Sequence, residues 1–209
     1  MFSIIILIIS TTFFLVKAND YSLFGYVILL DPGHGGKDNG AYYNDLLEDE
    51  INLNICLKLS NLLIEKGAIV YLTRDGDYDL SEENANNRKK SDMKNRLKLI
   101  NTYKPDLFIS IHMNSFPLSS VNGAQVFYHN NYEIANIMQN RLNVLNDKNK
   151  KSKKSDFYLI KNSFYQSLLI ECGFLTGDKD YNNLHDDNYL NLVSNSIFLG
   201  IVDCLLFVN

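Results

Sequence analysis

Cysteine is scarce in this chain. The three copies, Cys56, Cys172 and Cys204, contain no C-x-x-C pair, and an odd count cannot close into a complete disulfide framework. They read instead as small buried hydrophobes, the usual fate of free cysteine. Positive charge is not in excess either. Lys+Arg number 20 against 24 Asp+Glu, giving a net charge of -4, which excludes the broad basic surface of a non-specific nucleic-acid binder. No internal repeat or second domain is visible. Histidine occurs only four times, as His34, His112, His129 and His185.

The remaining composition suits one domain. The 209 residues are 46% hydrophobic, enough to build a core without covalent staples. Residues 2–16 are almost wholly apolar. The run is short for a membrane-spanning helix, which needs about 20 residues. It reads as the hydrophobic part of an export signal with a small-x-small site at Val16-Lys17-Ala18, or as a retained N-terminal membrane anchor. The alternative, a buried helix, fits poorly because no polar face interrupts the run. The expectation is therefore a leader or anchor over residues 1–18 and a folded domain over residues 24–209, working outside the cytoplasm.

Beyond that segment, apolar and amphipathic stretches alternate. "YVILL" reads as a buried strand. Residues 48–66 place Ile51, Ile55, Leu59, Leu62 and Leu63 at helical spacing, with Gly67 as a stop. "AIVYLT" is the next strand, followed by a long polar connection. "MKNRLKLINTY" reads as a helix stopped by Pro105, and "DLFISIH" as a strand. "GAQVFYH", "DFYLIK" and "SLLIECGFL" read as further strands, "YEIANIMQNRLNVLN" as a helix, and residues 188–208 as a long C-terminal helix. The alternation predicts an α/β single domain with a mostly parallel twisted sheet of about six strands and helices on both faces.

Open α/β sheets place their sites beyond the carboxyl ends of strands. His34 follows "YVILLD", His112 closes "DLFISIH" and Glu171 ends "SLLIE". Ionisable groups leaving buried strands cost desolvation energy unless they have partners. One such histidine is more often structural. Two histidines and a glutamate at three separate exits point to a metal, because imidazole and carboxylate are suitable zinc ligands and a catalytic zinc keeps one position for water. The third ligand should be a further carboxylate among Asp45, Glu48, Asp49 and Glu50, and spacing does not choose. Glu48 lies one turn before the core-facing Ile51 and Ile55, whereas Asp49 and Glu50 suit the helix N-terminus electrostatically. Gly33, Gly35 and Gly36 permit close backbone approach and positive φ around His34. A phosphate loop is excluded, since Lys37 is followed by Asp38 rather than Ser or Thr.

Other polar residues read less sharply. Asp31 is placed to orient His34, or to cap the turn. Asn114 and Ser115 are cleft or turn residues. Cys172 adjoins Glu171, but strand alternation sends the two to opposite faces, against a thiol nucleophile. His129 and His185 read as surface residues. "KNKKSKK", with five lysines over residues 148–154, is a solvated loop or a contact for an anionic polymer, a partner protein or a membrane surface.

The segments "DPGHGGKDNGA", "LEDEINLN", "VYLTRDGD", "RLKLINTYKPDLFISIHMNS", "NGAQVFY" and "LLIECGFLT" together resemble the zinc-dependent N-acetylmuramoyl-L-alanine amidases of the amidase-3 family, over nearly all of residues 27–205. The resemblance implies one zinc ion per chain held by His34, Glu48 and His112, with Glu171 as the catalytic glutamate. It implies hydrolysis of the amide between N-acetylmuramic acid and L-alanine of the peptidoglycan stem peptide. Two positions depart from the family pattern: Gln166 stands where proline is common, and Thr176-Gly177 replaces Ser-Asn after "GFL". A narrower resemblance, in "NRKKSDMKNRLKLIN" and "FYLIKN", is to the sporulation-specific CwlD-type amidases. It implies a role in spore cortex maturation through muramic δ-lactam formation, with an accessory protein as a candidate partner. The rival readings are a non-catalytic wall-binding or regulatory protein on the same fold, a zinc peptidase cutting another stem-peptide bond, and a purely structural α/β module. The last leaves the strand-end histidines unexplained.

Overall fold

The computed structural model describes residues 22–206. The segment 1–18, expected as leader or anchor, lies outside the described residues. The chain begins its first strand at β1 (Val27–Pro32), makes a small hairpin from β2 (Tyr42–Tyr43) and β3 (Leu46–Leu47), and enters helix α1 (Glu48–Glu65). Strand β4 (Ile69–Leu72), helix α2 (Arg88–Tyr103), strand β5 (Leu107–Asn114) and strand β6 (Gln125–Tyr128) follow. Then come α3 (Tyr132–Leu142), the short edge strand β7 (Lys153–Lys154), α4 (Tyr158–Asn162), β8 (Ser167–Phe174), α5 (Asp178–Leu184) and α6 (Asp187–Leu206).

Six strands form one sheet in the order β4-β1-β5-β8-β6-β7. Strands β4, β1, β5 and β8 are parallel, and β6 pairs antiparallel with β8 while running parallel to β7. The mostly parallel sheet expected from the alternation is what forms. Its strands read as continuous apolar runs because both faces are covered. Side chains alternate between faces. Ile28, Leu30, Ile109, Ile111, Ile170 and Cys172 belong to the main core, together with Ile55 and Leu59 of α1, Met138 of α3 and Val193, Ile197 and Ile201 of α6. The opposite face carries a smaller core of Leu29, Phe108, Ile100 and Leu159, under α2 and α4.

Besides the unexpected hairpin β2–β3, strand β7 and helix α5, the segments differ from the sequence reading in three places. "DFYLIK" is not a strand: its residues turn into the short helix α4, with Leu159 and Ile160 buried. A four-residue apolar run, Phe157 to Ile160, carries no periodicity that separates strand from buried helix. Helix α2 starts five residues earlier than the apolar pattern shows, because Asn87 caps it by accepting the Lys90 amide hydrogen at 2.9 Å. Strands β5 and β8 run past His112 and Glu171, so those residues sit inside the last turns of strand rather than at its final position.

Helix α6 is, among the described residues, the one helix long and apolar enough to cross a membrane. Its packing shows the actual reason for that composition, since it forms the floor of the main core against α1 and α3. Its end lies beside the start of β1, where the Tyr26 hydroxyl donates to the Leu205 carbonyl at 3.1 Å.

Candidate metal centre

The parallel strands deliver their C-terminal ends to one rim. After β1 the chain turns through Gly33, His34, Gly35 and Gly36. His34 itself takes a left-handed backbone, φ 61°, a conformation uncommon outside glycine that needs surrounding support. Gly33 is required for another reason: a Cβ there would lie 2.2 Å from the His112 ring. A Cβ on Gly40 would lie 2.5 Å from Glu48 Oε2. The two glycines let two loops close around the same side chains.

Two buried arginines hold the His34 turn. Arg96 Nη1 donates to Pro32 O at 2.8 Å and to Asp31 Oδ1 at 2.6 Å, while Nη2 donates to His34 O at 2.6 Å. Its Nε donates to Asp92 at 2.8 Å. Arg74 donates to Pro32 O at 3.0 Å, Gly33 O at 3.0 Å and Asp49 O at 2.8 Å. Three successive carbonyls of the turn are thereby tied to α2 and to the start of α1. Both guanidiniums are essentially unexposed, a burial that only such a full set of acceptors and charges offsets.

His34, Glu48 and His112 converge, each offering one ligand atom, with all three atoms within 4.8 Å of one another. Nε2 of His34 lies 3.3 Å from Glu48 Oε1, and Nδ1 of His112 lies 2.9 Å from the same oxygen. Two imidazoles and a carboxylate with this separation are a donor set for a tetrahedral ion with one position open. Burial works against the charge on Glu48, yet hydrogen bonds from His112 and His34 hold its carboxyl far below the usual range. The amide of Ala41 donates to its other oxygen at 2.7 Å. Burial also opposes charge on His34, but Glu48 and then Asp38 outweigh it and push its pKa up to about 9. A metal ion held here would take the place of a proton on His34, because imidazole ligates in its neutral form.

Of the four carboxylates left open after "GHGG", only Glu48 joins the cluster. Asp45 is at the surface, bonded to Tyr181 and His185. Asp49 is buried in the first turn of α1, and one of its oxygens has no partner. Glu50 is exposed. The expectation for Asp31 needs correction. It does not touch His34; it accepts from Arg96, from Thr73 at 2.6 Å and from Ser110 at 2.6 Å. The residue that meets His34 is Asp38, whose Oδ2 lies 3.0 Å from Nδ1. The missed signal was the i,i+4 spacing on a turning loop, where an acid reaches back to the ring.

Glu171 pairs in register with His112 across β5 and β8, which puts both side chains on one face. It is 9% exposed and its Oε2 is buried without a hydrogen-bond partner. Burial pushes its pKa up to about 7, with the charge of Glu48 adding and those of His112 and His34 subtracting. Cys172 points the other way into the main core, where burial pushes its thiol well above its ordinary value. Asn114 accepts from the Ser115 amide at 2.8 Å, a turn contact. His185 is exposed, and His129 is half-buried beside Asp156 at 3.0 Å. The lysine run is not a free loop: Lys150 donates to Asn122 O and Gly123 O, and Lys153–Lys154 pair as β7.

The profile of the Amidase_3 family, N-acetylmuramoyl-L-alanine amidase, matches residues 28–203. The germination-specific N-acetylmuramoyl-L-alanine amidase of Bacillus subtilis is 38% identical over 189 residues, covering 86% of this chain and 80% of that protein. Among solved structures, the CwlD amidase of Clostridioides difficile in complex with the GerS lipoprotein is similar with a TM-score of 0.82 and 36% identity, covering 86% of this chain and 98% of that one. The amidase AmiC2 of Nostoc punctiforme has a TM-score of 0.76 and 31% identity, covering 85% of this chain and 96% of that one.

Proposed function

The chain belongs to the Amidase_3 family and is an N-acetylmuramoyl-L-alanine amidase acting on peptidoglycan, and from that premise we propose that it is a zinc enzyme of spore cortex maturation. His34, Glu48 and His112 would hold one Zn²⁺. The convergence of these three donors, with the unpartnered oxygen of Glu171 on the face of the adjoining strand, is the observation that carries this reading. The donors fit the ion: Glu48 is held ionised, and Asp38 meets the far nitrogen of His34 as an orienting acceptor. Bound there, zinc supplies Lewis acidity, which polarises a carbonyl and acidifies water.

Glu171 does the proton transfer. A carboxyl raised to about 7 is matched to accepting a proton from water near neutrality and returning it to a nitrogen leaving group. The bond broken joins the lactyl carbonyl of N-acetylmuramic acid to the nitrogen of L-alanine; water supplies OH to the carbonyl and H to the amine. Arg74 and Arg96 fix the backbone that presents His34, so the reacting groups do not need to be gathered after substrate arrives. The similarity to a germination-specific amidase supports a place in the cortex, before muramic δ-lactam formation. The similarity to an amidase solved with a lipoprotein supports an accessory protein as partner. The apolar segment at residues 2–16 supports export, by a cleaved leader or a retained anchor over residues 1–18, with residues 24–209 as the catalytic domain.

Metal analysis of the purified chain, beside mass analysis of digested cortex and vegetative wall, tests the reading. The expected result is one zinc per chain, intact glycan and new L-alanine amino termini, abolished by a chelator. Cuts elsewhere in the stem peptide would make it a peptidase. Binding to wall with no cut by zinc-loaded protein would make it a wall-binding or regulatory protein.

A further inference from the structure

Resting on the reading that Glu48 is a metal ligand, we propose that Asp45, Tyr181 and His185 form a proton-dependent clasp that positions the hairpin leading into Glu48. Strands β2 and β3 have two residues each, and so short a ribbon does not hold itself in water. Its base is tied to the metal centre. Ala41 donates its amide hydrogen to Glu48 Oε2 at 2.7 Å, and the Glu48 amide donates to Ala41 O at 3.0 Å. Leu46 enters the main core. The tip, where Asn44 is left-handed at φ 51°, reaches α5. There the Tyr43 ring meets the Tyr181 ring edge-on, with centroids 5.4 Å apart. The Tyr181 hydroxyl donates to Asp45 Oδ1 at 2.7 Å.

His185 completes the clasp. It stands one residue past α5, with its ring centroid 4.9 Å from that of Tyr181. Its Nδ1 lies 2.7 Å from the Tyr181 carbonyl oxygen, and its Nε2 lies 3.1 Å from Asp45 Oδ2. Carbonyl and carboxylate oxygens only accept, so both contacts are hydrogen bonds when both ring nitrogens carry hydrogen, which is the imidazolium. A neutral ring loses one of the two and turns a lone pair toward an oxygen. The Tyr181 carbonyl and then Asp45 raise the pKa of His185, while the Tyr181 hydroxyl and then His185 lower that of Asp45. The other charges nearby in sequence face elsewhere. On α5, Asp178 accepts from Ser119, Lys179 pairs with Asp147, and Asp180 accepts the Gly123 and Phe174 amides. At the start of α6, Asp186 accepts from Asn188 and Asp187 pairs with Lys58. The clasp is complete below the ordinary histidine range and opens as pH rises through the raised folded value. Once it opens, the tip is freed from α5, and the Ala41–Glu48 bonds that orient the carboxylate share its motion.

Two measurements on the full chain test the clasp. Titration of the His185 ring by NMR in metal-free protein is expected to give a higher pKa in wild type than in Asp45→Asn; equal values overturn the clasp. Zinc dissociation constants are then measured by competition with a chelator from pH 6 to 9. Protonation of the ligands themselves affects every variant alike, so the ratio of variant to wild type isolates His185. His185→Gln is expected to bind zinc about twofold to fivefold more weakly than wild type at pH 6, as exposed contacts allow, and equally at pH 9. His185→Arg, charged throughout and able to donate to both oxygens, is expected to match wild type at pH 6 and to bind more tightly than wild type at pH 9. A glutamine ratio that stays above one without changing with pH marks a merely structural contact, and a ratio of one throughout marks no role. Either result overturns this inference and leaves the metal reading intact, whereas a wild type that binds no zinc at any pH refutes the metal reading and the clasp's role with it.

Discussion

Asp31 and Glu171 are both buried carboxylates near the C-terminal ends of strands in one sheet, on the same face, two strands apart. Asp31 accepts from Arg96, Thr73 and Ser110, and although burial pushes its pKa up, those partners hold it below its ordinary value. Glu171 has an oxygen with no partner, and burial pushes it up to about 7. The fold thus spends its donors on the half that presents His34 and withholds them from the carboxylate beside His112. A fully satisfied buried network rigidifies; an unsatisfied ionisable group at a site is free to exchange a proton.

The sharpest way to break the contrast is Glu171→Gln. Removing a general base costs about 10²–10⁴ in rate, so kcat should fall by that order while zinc content and fold stay as in wild type. The same variant reads the burial penalty in metal-free protein. The folded pKa is raised from 4.5 to about 7, so Glu171's contribution is fully present below the unfolded value and is lost as pH rises through the folded one. Wild-type stability should therefore decline between pH about 4.5 and 7, by at most about 1.4 kcal/mol per pH unit, and the glutamine variant should lack this decline. Urea midpoints across that window decide it; identical slopes would contradict the buried, unpaired state. Next in size is Arg96→Met, which strips Asp31 and Asp92 of their guanidinium and leaves carbonyls of the His34 turn unpaired. Breaking a buried pair costs about 3–5 kcal/mol, measured as a lower denaturant midpoint. A loss below about 1 kcal/mol would mean that the network is a bystander. The mildest is Asp38→Asn, which keeps shape but removes the charge facing His34. Zinc affinity should fall about 10–100-fold with little change in thermal stability of the metal-free chain, read by competition with a chelator.

The contrast also shows where sequence reasoning works. His34, His112 and Glu171 were legible because strand patterning locates the rim, and ionisable residues at a rim are rare enough to notice. Glu48 was only favoured by helix geometry, one turn before Ile51, and it was the resemblance to the amidase-3 family that chose it over Asp45, Asp49 and Glu50. Arg74 and Arg96 were not legible. Arginine is ordinarily exposed, and nothing local marks two of them as buried beneath a distant turn. The role of Asp31 stayed open between orienting His34 and capping the turn for the same reason, as its guanidinium partner arrives from a helix 65 residues away. Helix α4 was misread because its few apolar residues carry no period, and the start of α2 was missed because its first turn, after the Asn87 cap, is wholly polar.

The contact between the Tyr26 hydroxyl and the Leu205 carbonyl has a geometric corollary. Both ends of the described chain depart from a single pole, at the amino ends of the parallel strands, while the imidazoles crown the antipode. A leash, tag or cargo fused at either end would hang behind the molecule and leave its working surface facing outward. New ends cut in a loop elsewhere, with the old ones joined by a brief linker, would leave that polarity unchanged.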